Sequence, residues 1–506
     1  MSKIFSSAII GLDSRLIEVE SNIGGGMGGI FIIVGLPDTA VQESKERIWS
    51  AIKNSELAFP RSKIVVNLAP ADIRKEGPAY DLPIALSILQ TAGKIILAGD
   101  DKEAIYAGEL SLDGHLRSIN GALSIAIMAK EKGIKKIFVP TINAREASLV
   151  NGVEVIPADS LIDLVRHIKG TNPIKSYVPC PEDIDDVTDY DIDMAFIKGQ
   201  EQAKRALEIA ASAGHNVLLS GPPGSGKTLL ARTVATILPK MTYDEILEVT
   251  KIYSVAGKIP MGQSLITKRP FRSPHHTASS ISLVGGGSFP RPGEISLAHK
   301  GVLFLDEFSE FPRAVLENLR QPLEDGLVTV SRAQATITFP ARFTLIASQN
   351  PCPCGYYSDT DKNCTCTPSQ IVRYQKKISG PLLDRIDLHI EAPRIKFEKL
   401  ASDELAEKSE HIRRRVENAR EKQRIRFAKL NVHTNAEMSN REIRRFCIID
   451  NHSQGLLKNA MEYMHLSARS YQRILKVSRT IADLSDSEKI ESAHIAEALQ
   501  YRTKVD

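Results

Sequence analysis

Gly221-Pro222-Pro223-Gly224-Ser225-Gly226-Lys227-Thr228 has the spacing of a loop that wraps phosphate. Glycines at these places let successive backbone N–H groups curl around an anion at a helix N-terminus, where the partial positive charge of the helix adds to the hydrogen bonds. Lys227 would reach the β- and γ-phosphates of a nucleoside triphosphate, and the Thr228 hydroxyl would ligate Mg²⁺. The surroundings set this loop apart from an ordinary glycine-rich turn. Asn216-Val217-Leu218-Leu219-Ser220 reads as a buried strand before it, and Leu229 to Ala235 as a helix after it.

A second segment supplies acid. Gly301 to Leu305 is an apolar run ending in Asp306 and Glu307, as expected at the carboxyl edge of a buried parallel strand. Asp306 would hold the Mg²⁺ shell, and Glu307, on the opposite side of the pleat, would polarise the attacking water as general base. Carboxylates after a strand also serve as plain helix N-caps; the phosphate loop upstream favours the catalytic reading. Phe343 to Ser348 is a further apolar strand, ending in Gln349 and Asn350, and Asn350 is suited to orienting the lytic water.

Arg385, in Leu382-Leu383-Asp384-Arg385-Ile386-Asp387-Leu388, lies among apolar residues, where an unpaired guanidinium is costly. It either pairs within the chain, with Asp384 or Asp387, or is offered to the nucleotide of a neighbouring subunit. The latter contribution is worth about 10³ to 10⁵ in rate and demands a ring. Cys352-Pro353-Cys354 and Cys364-Thr365-Cys366 put four thiols in one polar loop. Four thiolates satisfy tetrahedral Zn²⁺ and leave no open position, so the metal's role would be structural; free thiols or a transient disulfide are the alternative. Cys180 and Cys447 read as ordinary residues.

These groups need a scaffold, and 506 residues suggest two or three domains. With 42% hydrophobic and 25% charged residues the composition is that of a soluble globular protein, and a net charge of +4 says little about nucleic acid. There is no apolar run of membrane-spanning length and no signal peptide, so a cytoplasmic protein without a membrane partner is expected. Residues 1–168 alternate strand and helix patterns without a phosphate loop. Gly24-Gly25-Gly26-Met27-Gly28-Gly29 lacks a following Lys-Ser/Thr and reads as a flexible turn. Residues 169–193 read as a Pro-rich acidic linker, 194–395 as the nucleotide-binding core with its cysteine loop at 351–367, and 396–506 as helical. The basic stretch Ser409 to Leu430, with Arg413, Arg414, Arg415, Arg420, Lys422, Arg424, Arg426 and Lys429, reads as a solvated helical face in preference to a nucleic-acid contact.

Several long motifs in order, Phe196 to Gln200, the phosphate loop, Arg269-Pro270-Phe271-Arg272-Ser273-Pro274-His275-His276-Thr277, Gly293 to Gly301, Asn350 to Gly355 and Leu382 to Leu388, resemble the magnesium-chelatase-related AAA+ proteins. Within that group the chain resembles the ComM/YifB family from end to end. The resemblance implies an α/β AAA+ P-loop core, a helical C-terminal lid, and a Lon-protease-like (ribosomal S5 domain 2-like) α+β domain at the N-terminus. It implies a hexameric motor of the helicase branch using ATP and Mg²⁺, with Asn350 as sensor 1, Arg385 as the trans finger and Arg469 as sensor 2; Arg473, one helical turn on, competes with Arg469 for that role.

The family's channel-facing insertions match Tyr253 to Ile295, including Lys268-Arg269-Pro270-Phe271-Arg272, and the strand-turn-strand Val328 to Phe343 with Arg332. Such groups would grip phosphates without reading bases, with an affinity that falls with salt. Where Lon-like proteases carry serine and lysine this chain has Ala79 and Leu123, neither a nucleophile nor a base, so peptide hydrolysis is not expected. The implied function is sequence-independent translocation on single-stranded or branched DNA and branch migration in homologous recombination and natural transformation, with recombination proteins as partners. A chelatase- or chaperone-like remodeller of a protein would instead hydrolyse ATP indifferently to DNA. A scaffold whose nucleotide merely holds the ring together would turn over very slowly.

Overall fold

The computed structural model describes residues 2–24, 29–178, 191–260, 263, 265–287, 290–331, 336–357, 359, 361–395 and 405–502. Gly25 to Gly28, linker residues 179–190 with Cys180, Arg332 and the core–lid boundary at 396–404 lie outside them. The chain forms two compact units, Met1–Asp185 with Tyr243–Thr267, and Asp186–Thr242 with Lys268–Asp506. Among the described residues no helix is long and apolar enough to cross a membrane.

The first unit is built on a seven-stranded mixed sheet ordered Phe31–Val34, Lys63–Ala69, Asp13–Gly24, Ser2–Ile10, Ile105–Tyr106, Lys136–Pro140, Glu154–Ala158. Ser2–Ile10 and Asp13–Gly24 pair antiparallel from Ser2↔Ser21 to Ile10↔Asp13, and this register sends Ile4, Ala8, Ile17 and Val19 into the core. Helix Thr39–Asn54 opens on Asp38, whose carboxylate accepts the Val41 N–H at 2.8 Å, a cap worth about 1 kcal/mol.

Helix Tyr243–Ala256 belongs to this unit although it follows the phosphate-loop helix in the chain. Residues 253–267, grouped by the sequence reading with the channel-facing insertion, therefore pack here instead. Ala79 and Leu123, the residues matched to the protease dyad by resemblance, share one apolar cluster with Leu247 and Leu265. Buried Glu146 accepts the Leu123 N–H at 2.9 Å and a hydrogen bond from Ser254 Oγ, which itself accepts the Gly121 N–H at 2.9 Å. Burial raises the Glu146 carboxyl above its ordinary value against the pull of these donors.

The second unit carries a five-stranded, wholly parallel sheet ordered Phe271–Arg272, Val302–Leu305, Thr344–Gln349, Val217–Ser220, Leu388–Glu391. Strands covered on both faces read as unbroken apolar runs, and Val217, Leu219, Val302 to Leu305, Leu345 to Ala347 and Leu388 are all buried. The phosphate-loop strand lies between two strands that come after it in the chain. That is a topological switch point, where ligands bind at the carboxyl edge.

Helices Ser409–Phe427, Asn451–Met464, Ala468–Leu484 and Ser492–Gln500 share one hydrophobic core with this sheet and with helix Lys227–Ile237. The basic stretch is one of their number. It buries Ile412, Val416, Ala419 and Phe427, and its arginines are largely engaged within the fold: Arg415 with Glu208 at 2.6 Å and Glu407 at 2.5 Å, Arg426 with Asp483 at 2.5 Å, and Arg420 with the Ala211 carbonyl at 3.2 Å. A fully solvated face is therefore not what forms; Arg414 and Arg424 remain exposed.

Candidate nucleotide site

The phosphate loop turns where its glycines require it. Gly224 and Gly226 adopt φ of 75° and 87°, the left-handed region that aims consecutive N–H groups to one side, and Lys227 opens helix Lys227–Ile237. A Cβ on Gly221 would collide with the Ala392 carbonyl oxygen, so no other residue passes there. Lys227 Nζ donates to the Gly221 and Pro222 carbonyls at 2.7 and 2.9 Å and to Asn350 Oδ1 at 3.3 Å. The lysine and the end of the Thr344–Gln349 strand thus meet. Burial pushes the ammonium down to about 8, although Asp306 pulls the other way.

Thr228 Oγ1 donates to Asp306 Oδ2 at 2.7 Å. The other carboxylate oxygen accepts from the Glu307 N–H at 3.0 Å and from Ser348 Oγ. Ser348 comes from the neighbouring strand, whose register Leu305↔Ala347 puts it beside Asp306. Only the pairing of two distant strands supplies that hydroxyl, so no local pattern pointed to it. Thr228 and Asp306 present hard oxygen donors side by side, the donor set that suits Mg²⁺.

Glu307 follows at φ 53°, a left-handed conformation costly for a residue with a side chain. Its half-exposed carboxylate lies 3.2 Å from His276 Nδ1, a second contact between segments far apart in the sequence.

Arg385 is 5% exposed and pairs with Glu324, with a second bond to the Pro381 carbonyl. Neither Asp384 nor Asp387 is its partner, contrary to the pairing weighed from sequence. Asp387 is held by Arg473 at 2.8 Å and by His215 at 3.2 Å; against the effect of burial, the Arg473 guanidinium and the hydrogen bond to His215 keep its carboxyl well below the usual range. Glu324 can reach Arg385 because it lies on helix Arg320–Asp325, which no local spacing relates to residue 385. Arg469, at the start of helix Ala468–Leu484, is exposed and makes no ion pair among the described residues.

The four cysteines converge. The Sγ atoms of Cys352, Cys354, Cys364 and Cys366 all lie within 4.8 Å of one another, with 3.3 Å between Cys352 and Cys354, 3.5 Å between Cys354 and Cys364 and 3.7 Å between Cys352 and Cys364. A tetrahedron with Zn–S bonds of about 2.3 Å has edges of about 3.8 Å. Backbone N–H groups of Cys354 and Tyr357 point at Cys366 and Cys352 sulfurs, the usual company of thiolates. The quartet is compatible with zinc.

Comparison with known proteins agrees with this arrangement along the whole chain. Residues 193–400 match the family described as magnesium chelatase, subunit ChlI, residues 19–143 match subunit ChlI of Mg-chelatase, and residues 406–502 match the ChlI C-terminal family. Competence protein ComM of Haemophilus influenzae is 42% identical over 505 residues, covering 99% of this chain and 97% of that protein. YifB of Escherichia coli is 43% identical over 504 residues with the same coverage, 99% and 97%. The magnesium-chelatase 67 kDa subunit of Chlorobaculum parvum is 30% identical over 160 residues, 31% of this chain and 23% of that subunit. At this identity over its full length, the chain belongs to the ComM/YifB family of magnesium-chelatase-related AAA+ proteins.

Proposed function

We propose that this protein hydrolyses ATP and couples the hydrolysis, in a hexameric ring, to movement along single-stranded or branched DNA, as in branch migration during homologous recombination and natural transformation. The observation that carries the enzymatic part is the meeting of Lys227, Thr228, Asp306 and Asn350 at the carboxyl edge of one parallel sheet. The DNA part rests on family membership and on the name of its Haemophilus relative, a competence protein.

In this reading Gly221 to Gly226 and Lys227 hold the phosphates, while Thr228 and Asp306 hold Mg²⁺. The bound ion would neutralise charge on the β- and γ-oxygens. Glu307 takes a proton from the attacking water, which Asn350 orients. Arg385 of one subunit serves the nucleotide of the next, exchanging Glu324 for phosphate oxygens, and Arg469 approaches the same γ-phosphate. Arg473 is committed to Asp387 and is the weaker choice for that role. Cys352, Cys354, Cys364 and Cys366 would hold a structural Zn²⁺.

The N-terminal unit, read as Lon-like, is not a protease: Ala79 and Leu123 bring no nucleophile or base to the site, and Leu123 is buried. It is better suited to assembling the ring or handling DNA.

ATP hydrolysis measured with and without single-stranded and branched DNA across a salt series, in wild type and Lys227→Ala, tests the proposal. Stimulation by DNA that weakens with salt and vanishes in the variant is expected. Robust hydrolysis indifferent to DNA would replace the DNA motor with a remodeller of a protein partner.

A further inference from the structure

Helix Pro368–Gln375 follows the cysteine loop, and residues 309–313 follow the acid pair; together they wall one open groove of about 870 Å³. Its charge is one-sided. Arg313 comes from one wall, Arg373 and Lys376 from the other, and all three are exposed. Among the described residues none of the three has an ion-pair partner. Carboxylates near them are taken, Glu310 by Lys377 at 3.1 Å and Glu317, one turn on from Arg313, by Arg320 at 2.9 Å.

Basic residues at the end of a helix complement its dipole, which accounts for Arg373 and Lys376 on their own helix. It does not account for Arg313 on the opposite wall. Like charges around a concavity repel one another, and low-dielectric walls focus the field they make. Arg415 and Arg426 of helix Ser409–Phe427, by contrast, meet carboxylates within the fold. The groove is left with three uncompensated cations.

Between the charges the lining is apolar, with Val372 47% exposed and Pro368 beside it in the wall. Phe311 is only 4% exposed, so it offers no ring face on which a base could stack. Ammonium and guanidinium groups are hydrogen-bond donors only, and an extended peptide would bring N–H groups for which such walls hold no free acceptor. A phosphodiester backbone presents acceptors only. The volume is that of a cleft for a small ligand, about 300–1,000 Å³, room for a short stretch of one strand and not for a duplex.

We propose that Arg313, Arg373 and Lys376 form a contact site for the phosphate backbone of a single DNA strand, gripped by charge without base stacking. The inference rests on the DNA reading above and adds a place on this chain where a strand is held.

The test uses the full chain and a fluorescent single-stranded oligothymidylate, whose affinity is measured across a salt series alongside affinity for ADP and sedimentation. Two triple variants are compared with wild type: Arg313→Gln/Arg373→Gln/Lys376→Gln, and the charge-retaining Arg313→Lys/Arg373→Lys/Lys376→Arg. For single strands each phosphate contact contributes about 0.7 to the slope of log affinity against log salt, so the glutamine variant should have a slope shallower by about 2. Between about 50 and 200 mM salt its affinity should then fall about twentyfold less than that of wild type. The charge-retaining variant should keep the wild-type slope, and both should bind ADP as wild type does.

A glutamine variant that binds ADP and keeps the wild-type slope overturns the proposal. So does a changed assembly state, which would make the groove an interface between copies of the chain. Binding of poly-glutamate that the glutamine variant loses, with the DNA slope unchanged, would give the groove to an acidic protein instead. If the glutamine variant fails to bind ADP, Val372→Glu, which sets a carboxylate among the three cations, is read by the same criteria, with a slope shallower by about 0.7. Failure of the DNA reading itself looks different: wild type then binds oligothymidylate at no salt concentration.

Discussion

Gly355 lies against Pro223 so closely that a Cβ on it would stand 2.5 Å from the proline Cδ, and its φ is +84°. The cysteine loop is therefore one wall of the phosphate loop. A metal that stapled the first would hold the second, and Asn350 Cγ lies 3.8 Å from the same Cβ position.

Zinc loss should accordingly reach the nucleotide. The purified protein is expected to carry about one zinc per chain by elemental mass spectrometry, as four thiolates require. Cys364→Ser should lower that content, and Gly355→Ala, forced into both a clash and an unfavourable φ, should weaken ADP binding by about tenfold, or ~1.4 kcal/mol. Titration of fluorescent ADP against both variants checks this; wild-type affinity in Gly355→Ala would show that the wall is not needed.

Lys227 predicts a pH dependence of binding. Its ammonium, pushed down to about 8 by burial, would be restored by nucleotide phosphates, so binding takes up a proton above that pH. Affinity for ATP should be full below pH 8 and fall as the pH rises above it, by at most about tenfold per unit. Calorimetry in buffers of different ionisation enthalpy at pH 8.5 should show proton uptake, absent in Lys227→Ala.

Glu146 predicts a second titration, of stability and not of binding, in the first unit. Because burial raises its folded pKa above the ordinary 4.5, the folded state keeps a proton that the unfolded chain releases. The stability it adds is complete below the unfolded value and is lost as pH rises through the folded one. Hydrogen exchange at the Leu123 amide, which bonds to Glu146, should therefore show opening become easier over that window once intrinsic exchange rates are divided out. Glu146→Gln should flatten the profile.

Arg385 is buried against Glu324 in the same chain, yet its proposed target belongs to a neighbour. Arg385→Ala should leave ADP affinity unchanged and cut ATP turnover by about 10³ or more. Mixed rings of Arg385→Ala and Lys227→Ala subunits should recover part of the activity, since some interfaces then pair an intact arginine with an intact phosphate loop. Mixtures as inactive as the separate variants would contradict a role across the interface.

Contiguous motifs were legible in the sequence because their chemistry is local. The phosphate loop needs its glycines and lysine within eight residues, and the acid pair needs only an apolar run before it. Asn350 was readable for the same reason, at the end of an apolar strand. Contacts made by long-range pairing were not. Ser348 meets Asp306 through strand register, His276 meets Glu307 across an excursion, and Glu324 displaces the aspartates beside Arg385 as its partner. Helix Tyr243–Ala256 shows the same limit at larger scale. Its amphipathic pattern announces a helix with one buried face but says nothing of which core covers that face, and it packs in the first unit. The arginines of Ser409–Phe427 looked free because their partners, Glu208 and Asp483, lie on other helices.

Glu307 is proposed to activate water for ATP hydrolysis beside a phosphate loop that binds nucleotide without it. Steady-state ATP turnover and ATP affinity measured together for wild type and Glu307→Gln test it most directly. Unchanged affinity and a turnover lower by at least about 10², the scale of general-base catalysis, are expected; a variant that turns over ATP at the wild-type rate would rule out this role for Glu307.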